Sequence, residues 1–372
     1  MTEWDVVIVG AGPAGSAAAL AALRANPAAR VLLLDAAAFP RDKVCGDGIA
    51  PQALDVLEEL GVDIDALVAG TEPIHTLRLV SPGGVEAARP FARPARVVTR
   101  LAFDDRLVQA AQAVGAVLQR RRVRTVTASP HGVLIDGQIG ARAVIGADGA
   151  ESVVRRQSGA RPAPSGTVAV ALRGYAPAAG WPPGEQLLTM TRSHWPAYAW
   201  AFPVGDGTVN VGYGELIRSS PPTRAQLIER LHALLPDVAA LPLRGHRLPL
   251  STGRPVVGAG RVLLAGDAAS LINPLTGEGI FYAVLSGSLA GVAALDPDPA
   301  RSYRAAMQSA LGRHLRHTDL LARLVRRPAL LDIGTAAARS NQPAFDQLTE
   351  IGLGAGTLSP RLALALVRSV RR

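Results

Sequence analysis

Asp5-Val-Val-Ile-Val-Gly10-Ala-Gly12-Pro13-Ala14-Gly15-Ser-Ala-Ala-Ala19 decides the fold. Apolar β-branched residues give way to a glycine turn and then to a run of small residues, the order of strand, tight turn and helix. Gly10 permits the turn, Gly12 lets backbone approach a pyrophosphate, and Gly15 allows close packing of helix on strand. The helix start at Pro13 and Ala14 then points its free N–H groups at the phosphates. Twenty positions beyond Gly15, Arg30-Val-Leu-Leu-Leu-Asp35 is a second apolar strand ending in a carboxylate suited to a ribose hydroxyl. An ordinary βαβ turn can show the same glycines, but the strand before, the helix after and Asp35 together favour a dinucleotide.

A second stretch narrows the dinucleotide. Arg261-Val-Leu-Leu-Ala-Gly266-Asp267-Ala-Ala-Ser270 reads as a buried strand ending in Gly-Asp. Leu271-Ile-Asn-Pro274-Leu-Thr-Gly277-Glu-Gly279-Ile280 follows, then a small-residue helix over 281–294. An aspartate at a strand end can hold a ribityl or ribose hydroxyl. Backbone N–H groups at the next helix start suit the N1–C2=O edge of a reduced flavin, which carries negative charge. A nicotinamide dehydrogenase needs no such element, so FAD is the expected cofactor.

The two stretches together resemble the FAD-dependent oxidoreductases of the para-hydroxybenzoate hydroxylase fold, and within them the geranylgeranyl reductase family. The resemblance covers roughly residues 4–310. Pro40-Arg41-Asp-Lys43-Val-Cys45-Gly46-Asp-Gly48 is similar to that family's P-x-x-K-x-C-G-x-G, and Arg100-Leu-Ala-Phe-Asp-Asp-Arg-Leu107 to its R-x-x-F-D-x-x-L. Gly146-Ala-Asp148-Gly149-Ala-Glu-Ser152-Val-Val-Arg155 matches a strand end shared across the fold. Tyr198-Ala-Trp200-Ala-Phe202-Pro203 and Asn210-Val-Gly212-Tyr-Gly214 resemble the reductases' Y-x-W-x-F-P and N-V-G-x-G, and Pro274 to Ile280 reads P-x-x-G-E-G-I. The aromatic hydroxylases more often show P-x-G-G-x-G-x-N there. Two departures stand out: Asp35 replaces the commoner glutamate, and the C-terminal part is short and weakly matched.

The resemblance implies an α/β fold: a Rossmann-like FAD-binding domain interleaved with an antiparallel substrate sheet, and a helical C-terminus. The expected FAD-binding parts are 1–73, 99–164 and 251–310. The substrate sheet comprises 74–98 and 165–250, and 311–372 forms a helical segment. The cofactor set adds Arg41, Cys45, Gly46, Gly48, Arg100, Val123, Asp148 and Gly149 to Gly10, Gly12, Pro13, Ala14, Gly15 and Asp35. Gly266, Asp267, Pro274, Gly277, Gly279 and Ile280 complete it.

Lys43 is the only lysine among 39 Lys and Arg residues, and Cys45, two positions away, is the only cysteine. A compact ammonium with a movable pKa differs from a planar, permanently charged guanidinium. The loop is therefore expected over the flavin, with Lys43 and Cys45 as candidate catalytic residues. Chance survival of one lysine beside a small buried cysteine is the plainer explanation. Tyr198 and Trp200 are the other candidates, on a sheet that roofs the flavin and holds an apolar substrate. The same alternation also suits ordinary sheet core.

One cysteine in 372 residues permits no internal disulfide, which fits a reducing cytoplasm. The first residues lack a basic n-region, so no signal peptide is expected, and no run is long enough for a membrane span. The formal charge of +9 is carried by arginine without interleaved aromatics, so nucleic acid is not an expected partner. Arg120-Arg-Arg-Val-Arg124 reads as a solvated strand edge, and the charge as steering for anionic ligands. At the chain's end Leu362, Leu366 and Val370 share one side of a basic helix. It can pack on its own protein or rest peripherally on an anionic membrane surface. His314 and His317 share a helix face without a third ligand, so no metal site is expected.

By resemblance the expected reaction is reduction of C=C bonds in an isoprenoid-type substrate by reduced flavin. NADPH or NADH is the expected electron donor and ferredoxin an alternative. The same fold supports a second reading, monooxygenation of an aromatic, indolic or terpenoid metabolite through a flavin C4a-hydroperoxide. Flavin halogenation ranks third, because W-x-W-x-I-P is absent.

Overall fold

The structure is a computed structural model, and it describes residues 4–159, 166–218, 220–238, 242–252 and 255–370. Side chains of 367–370, Arg371 and Arg372, and the domain boundary expected at 164–165 lie outside the described residues.

The chain begins β1 (Trp4–Val9), α1 (Pro13–Ala25), β2 (Val31–Asp35), β3 (Gly48–Ile49), α2 (Pro51–Glu59) and α3 (Ile64–Leu67). It continues β4 (Pro73–Val80), β5 (Glu86–Val97), α4 (Arg100–Ala113), β6 (Val117–Arg120), β7 (Val126–Ser129), β8 (Gly132–Ile135), β9 (Ile139–Gly146) and α5 (Val153–Gln157). Then come β10 (Val168–Pro177), β11 (Glu185–Met190), β12 (Ala197–Pro203), β13 (Thr208–Leu216), α6 (Arg224–Leu234) and β14 (Arg244–Pro249). The last elements are β15 (Gly258–Ala259), β16 (Val262–Leu264), α7 (Ile280–Ala293), α8 (Pro299–Leu324), α9 (Pro328–Ser340), α10 (Gln342–Leu353) and α11 (Pro360–Val370).

The first sheet has the parallel core β16-β9-β1-β2-β6, and β7, β8 and β15 pair antiparallel at its margins. Val6, Val7, Ile8 and Leu32 to Leu34 are buried on both faces, as central parallel strands require. At about 1.5–3 kcal/mol for each large side chain, these strands anchor the core. The helix α7 crosses α1 so closely that a Cβ at Gly287 would overlap the Ala14 carbonyl oxygen, and one at Gly291 that of Ala18. Two glycines one turn apart thus let backbone meet backbone. This close crossing fixes where both helix N-termini point.

The second sheet runs β14-β10-β13-β12-β11-β4-β5-β3. Every pairing is antiparallel except one: β11 runs parallel to β4. The β4–β5 hairpin enters from an earlier, separate segment, so no turn dictates its direction against β11. The short β3, within the stretch expected to belong with the flavin part, also joins this sheet through β5.

The C-terminal helices pack on one another. Leu362 on α11 is 1% exposed and clusters with Ala337, Ala344 and Ile351, whereas Leu364 faces outward at 51%. Leu366 is partly buried in the same cluster. Of the two placements the sequence allowed for this leucine side, the structure shows packing on its own protein, against α9 and α10. No helix of the described residues is long and apolar enough to cross a membrane.

Candidate functional site

Turns at 10–12, 35–37, 147–149 and 265–267 follow the parallel strands β1, β2, β9 and β16, so they gather at one edge of the first sheet. The chain leaves β1 toward β2 on one side and meets β9 on the other. Such a switch point is where open α/β sheets bind ligands. A cavity of about 250 Å3 lies between this edge and the face of the second sheet.

The glycine turn has the geometry its residues require. Gly10 has φ +102°, and a Cβ there would overlap the Ala147 carbonyl oxygen. A Cβ on Gly15 would overlap the carbonyl oxygen of Gly10. At Gly12 the surroundings are open: the nearest atoms to a Cβ would be Arg41 Nη2 at 3.4 Å and Arg100 Nη2 at 3.8 Å. Gly12 caps α1 with no side chain over its N–H groups, and Pro13 and Ala14 begin the helix. An uncapped helix start beside two guanidinium groups suits a pyrophosphate.

Asp35 ends β2 with Oδ2 accepting the Ala11 N–H at 2.9 Å and facing Arg41 at 3.4 Å. Arg41 also pairs with Asp104 at 3.1 Å and lies over the Phe39 ring. Arg100 is 4% exposed and grips Asp104 through both carboxylate oxygens, at 2.6 and 2.8 Å. Val123 is buried in the first core. Asp148 is engaged locally: it accepts from Ser152 Oγ and the N–H groups of Val153 and Val154 at the start of α5. Its neighbour Gly149 has φ +79° and an open surround.

The 41–48 loop crosses the cavity and is held from the second sheet. Arg173 on β10, 3% exposed, donates to the Cys45 and Lys43 carbonyl oxygens at 3.2 and 2.9 Å and pairs with Asp42 at 2.7 Å. Asn210 on β13 donates to Cys45 O at 2.9 Å and to Asp47 Oδ2 at 2.8 Å, and accepts from Trp200 Nε1 at 2.9 Å. Tyr175 donates to the same Asp47 oxygen. Asp47 sits at φ 61°, fully buried, with Oδ1 lacking a partner among the described residues. Burial pushes its carboxyl up to about 6 against the pull of Tyr175, Arg173 and Asn210. Burial likewise raises the Cys45 thiol, outweighing the nearby Arg100 and Lys43 cations, so the group stands as a thiol. Lys43 reaches Asp267 at 3.0 Å.

Trp200 and Tyr198 have a specific reason for their place. Trp200 pairs across the strands with Gly212 and Tyr198 with Gly214, and a Cβ on Gly212 would overlap the Trp200 ring. Gly212 lets the Trp200 ring lie over the neighbouring strand, with its edge also near Gly214. Tyr198 donates to the Thr276 carbonyl oxygen, and its hydroxyl would be 2.7 Å from a Cβ on Gly277, which has φ +74°. Gly46 packs on Phe202 and Trp200. At the start of α7, Gly279 is the N-cap, Ile280 the first helical residue, and Glu278 Oε1 accepts the Phe281 N–H at 2.8 Å. Gly266 has φ 58°, and Pro274 lines the cavity beside Gly277.

These elements suit a flavin dinucleotide. The open cradle at Gly12, the orphaned Asp47 Oδ1 and the buried His246 Nε2 without a partner among the described residues all border one crevice. Sequence reading named most of the rim. It missed Arg173 and His246, which stand outside any motif, and it quoted Asp47, Asn210 and Glu278 only as motif letters. Tyr175, on β10, gave no signal either. His314 is buried, its Nδ1 donating to Gly356 O at 2.6 Å and its Nε2 bonded to the Tyr282 hydroxyl at 2.5 Å.

Residues 3–286 match the model of the FAD binding domain family. The menaquinone reductase of Mycobacterium tuberculosis is 35% identical over 370 residues, covering 88% of this chain and 85% of the relative. The digeranylgeranylglycerophospholipid reductase 1 of Methanopyrus kandleri is 33% identical over 314 residues, covering 79% and 81%. Among solved structures, a geranylgeranyl bacteriochlorophyll reductase-like protein from Thermoplasma acidophilum superposes with a TM-score of 0.79. At 21% identity it covers 99% of this chain and 96% of its own, a likeness of fold.

Proposed function

This chain belongs to the FAD binding domain family, in its geranylgeranyl-reductase-like branch of FAD-dependent oxidoreductases, and on that premise we propose that it reduces C=C bonds of a polyprenyl-type lipid. The observation that carries the reading is the shape of the cavity. Its lining draws on all eight strands of the second sheet, from His246 and Leu248 on β14 to Gly48 and Ile49 on β3. At about 4.8 Å between neighbours this spans roughly 34 Å, room for an extended apolar chain. The names of the two relatives point the same way, since menaquinone and digeranylgeranylglycerophospholipid are both polyprenyl lipids.

Bound FAD, once reduced, would supply a hydride to one alkene carbon. The chain's residues do the rest. Gly10, Gly12 and Gly15 shape the turn that receives the pyrophosphate, with Arg41 and Arg100 beside it. Asp35 and Asp267 stand at the two strand ends where sugar and ribityl hydroxyls would lie, and Gly277, Gly279 and Ile280 border the ring. Arg173 and Asn210 hold Cys45 and Gly46 over the cavity and exclude water. Tyr198, Trp200, Phe202, Leu188 and Leu77 line the cavity, so binding is apolar. NADPH or NADH is the proposed electron donor, favoured by a formal charge of +9 that attracts anions.

The test is product mass. Holoprotein supplied with reductant under nitrogen should convert polyprenyl lipids into products heavier by two hydrogens per bond. A product that has gained oxygen in air would establish the monooxygenase reading in its place.

A further inference from the structure

Reduction of an alkene needs a hydride for one carbon and a proton for the other, and the residue that gives the proton must face the substrate. Asp47 Oδ1 and His246 Nε2 border the cavity without a hydrogen-bond partner among the described residues, and Glu278 borders it without a paired cation. Asp47 and His246 belong to the part of the crevice read above as suiting the flavin. Glu278 differs. Its residue is half-buried, it lines the cavity, and no cation pairs with it among the described residues.

We propose that Glu278 is the proton donor of the reaction, a role that rests on the alkene-reductase reading above. The carboxyl is fixed at the start of α7, where Oε1 accepts the Phe281 N–H at 2.8 Å, leaving Oε2 to carry the proton. Gly277, with φ +74°, turns the backbone immediately before it. The Tyr198 hydroxyl ties the loop to β12 by donating to Thr276, so Glu278 and the aromatic wall keep one geometry. Oε2 thus stands on a rigid element beside the cavity, as a general acid requires.

The electrostatics agree with this placement. The groups that face Glu278 are Tyr198 from β12 and Tyr282 from α7, both phenols held neutral by burial. Across the cavity stand Cys45, Asp47, Lys43, Arg100, His246 and Asp267, and Glu215 and Arg326 line it as well. Lys43 is committed to Asp267, and Arg100 to Asp104. Burial raises Glu278 to about 7, against the helix-start N–H groups of Phe281 and Ile280 that pull it down. It is therefore partly protonated at neutral pH and can both give up a proton and take one back.

In the step, the π bond is replaced by two C–H bonds. One carbon takes the hydride with both its electrons. The other uses the π pair to bind the proton leaving Glu278 Oε2. Glu278 is left as a carboxylate and takes a proton back from water at the cavity mouth, and the flavin ends oxidised.

The experiment compares wild-type holoprotein with Glu278→Gln, reduced by dithionite and mixed anaerobically with a polyprenyl lipid. Reoxidation of wild type should slow as pH rises through about 7, and the variant should be slower by about 100-fold and lose that pH dependence. In heavy water the wild type should place deuterium on one face of the protonated carbon, while residual turnover of the variant places it on both. Infrared difference spectra of the holoprotein should show a protonated carboxyl band that disappears through the same pH range and is missing from the variant. Equal rates with the same pH profile, or infrared spectra in which Glu278→Gln loses no carboxyl band, would overturn the assignment while leaving the reductase reading intact. Wild type that no alkene reoxidises would overturn both.

Discussion

Lys43 Nζ stands 3.0 Å from Asp267 Oδ2, although 224 positions separate them in the chain. The lone lysine thus joins the loop of the first motif to the strand end of the second, and the rim of the crevice closes around one ion pair. Burial pushes the Asp267 carboxyl up, but Lys43, with His246 and Arg100, more than offsets it and leaves it below the usual range.

Lys43→Met should cost about 1 kcal/mol at neutral pH, a modest figure because the ammonium is partly solvated. The sign of its pH dependence follows from Asp267. A carboxylate depressed in the folded state contributes stability above its ordinary pKa and loses it as pH falls through the folded value. Urea titrations of wild type and variant should therefore converge in acid, and a gap that stays constant would contradict the pairing.

Gly12→Ala and Gly15→Ala should fail in different ways. A Cβ on Gly12 meets nothing closer than 3.4 Å, so the variant should melt like the wild-type apoprotein yet lose FAD binding. A Cβ on Gly15 overlaps the Gly10 carbonyl oxygen, so that variant should lose several kcal/mol or not fold. Calorimetry of the apoproteins and fluorescence titration with FAD separate the two.

Arg173→Met leaves the Cys45 and Lys43 carbonyl oxygens and Asp42 without a buried guanidinium. A loss of about 3 kcal/mol is expected, with faster flavin release because the loop is no longer held over the crevice. Denaturant midpoints and the rate of FAD dissociation measure both, and unchanged release would contradict the loop's role.

His314 is held neutral, lowered chiefly by burial. Its contribution is complete above the ordinary histidine pKa and disappears as pH falls through its depressed folded value. His314→Phe should therefore flatten the stability profile below the ordinary histidine pKa, read from denaturation midpoints.

The sequence carried the first sheet plainly because its signals are local: β-branched runs, a turn at Gly10 and an acid at Asp35 lie within about thirty residues. The parallel pairing of β11 with β4 was not legible, because it joins segments more than a hundred positions apart without a shared turn. The same distance hid Arg173, one arginine among many, until its contacts with Cys45 and Lys43 were seen. Glu278 and Asp47 were visible as letters in motifs. Their burial without a counter-charge depends on what surrounds them, and composition does not encode that. Asp148 shows the converse: its motif was plain, yet its carboxyl is engaged with the start of α5.

The most direct test of the central claim is whether a polyprenyl lipid, with oxygen excluded, returns the reduced flavin of the holoprotein to its oxidised spectrum. The account predicts reoxidation that depends on lipid concentration, matched one to one by saturated bonds in the product. A flavin that stays reduced under nitrogen with every polyprenyl lipid, and reoxidises only when oxygen is admitted, would contradict it.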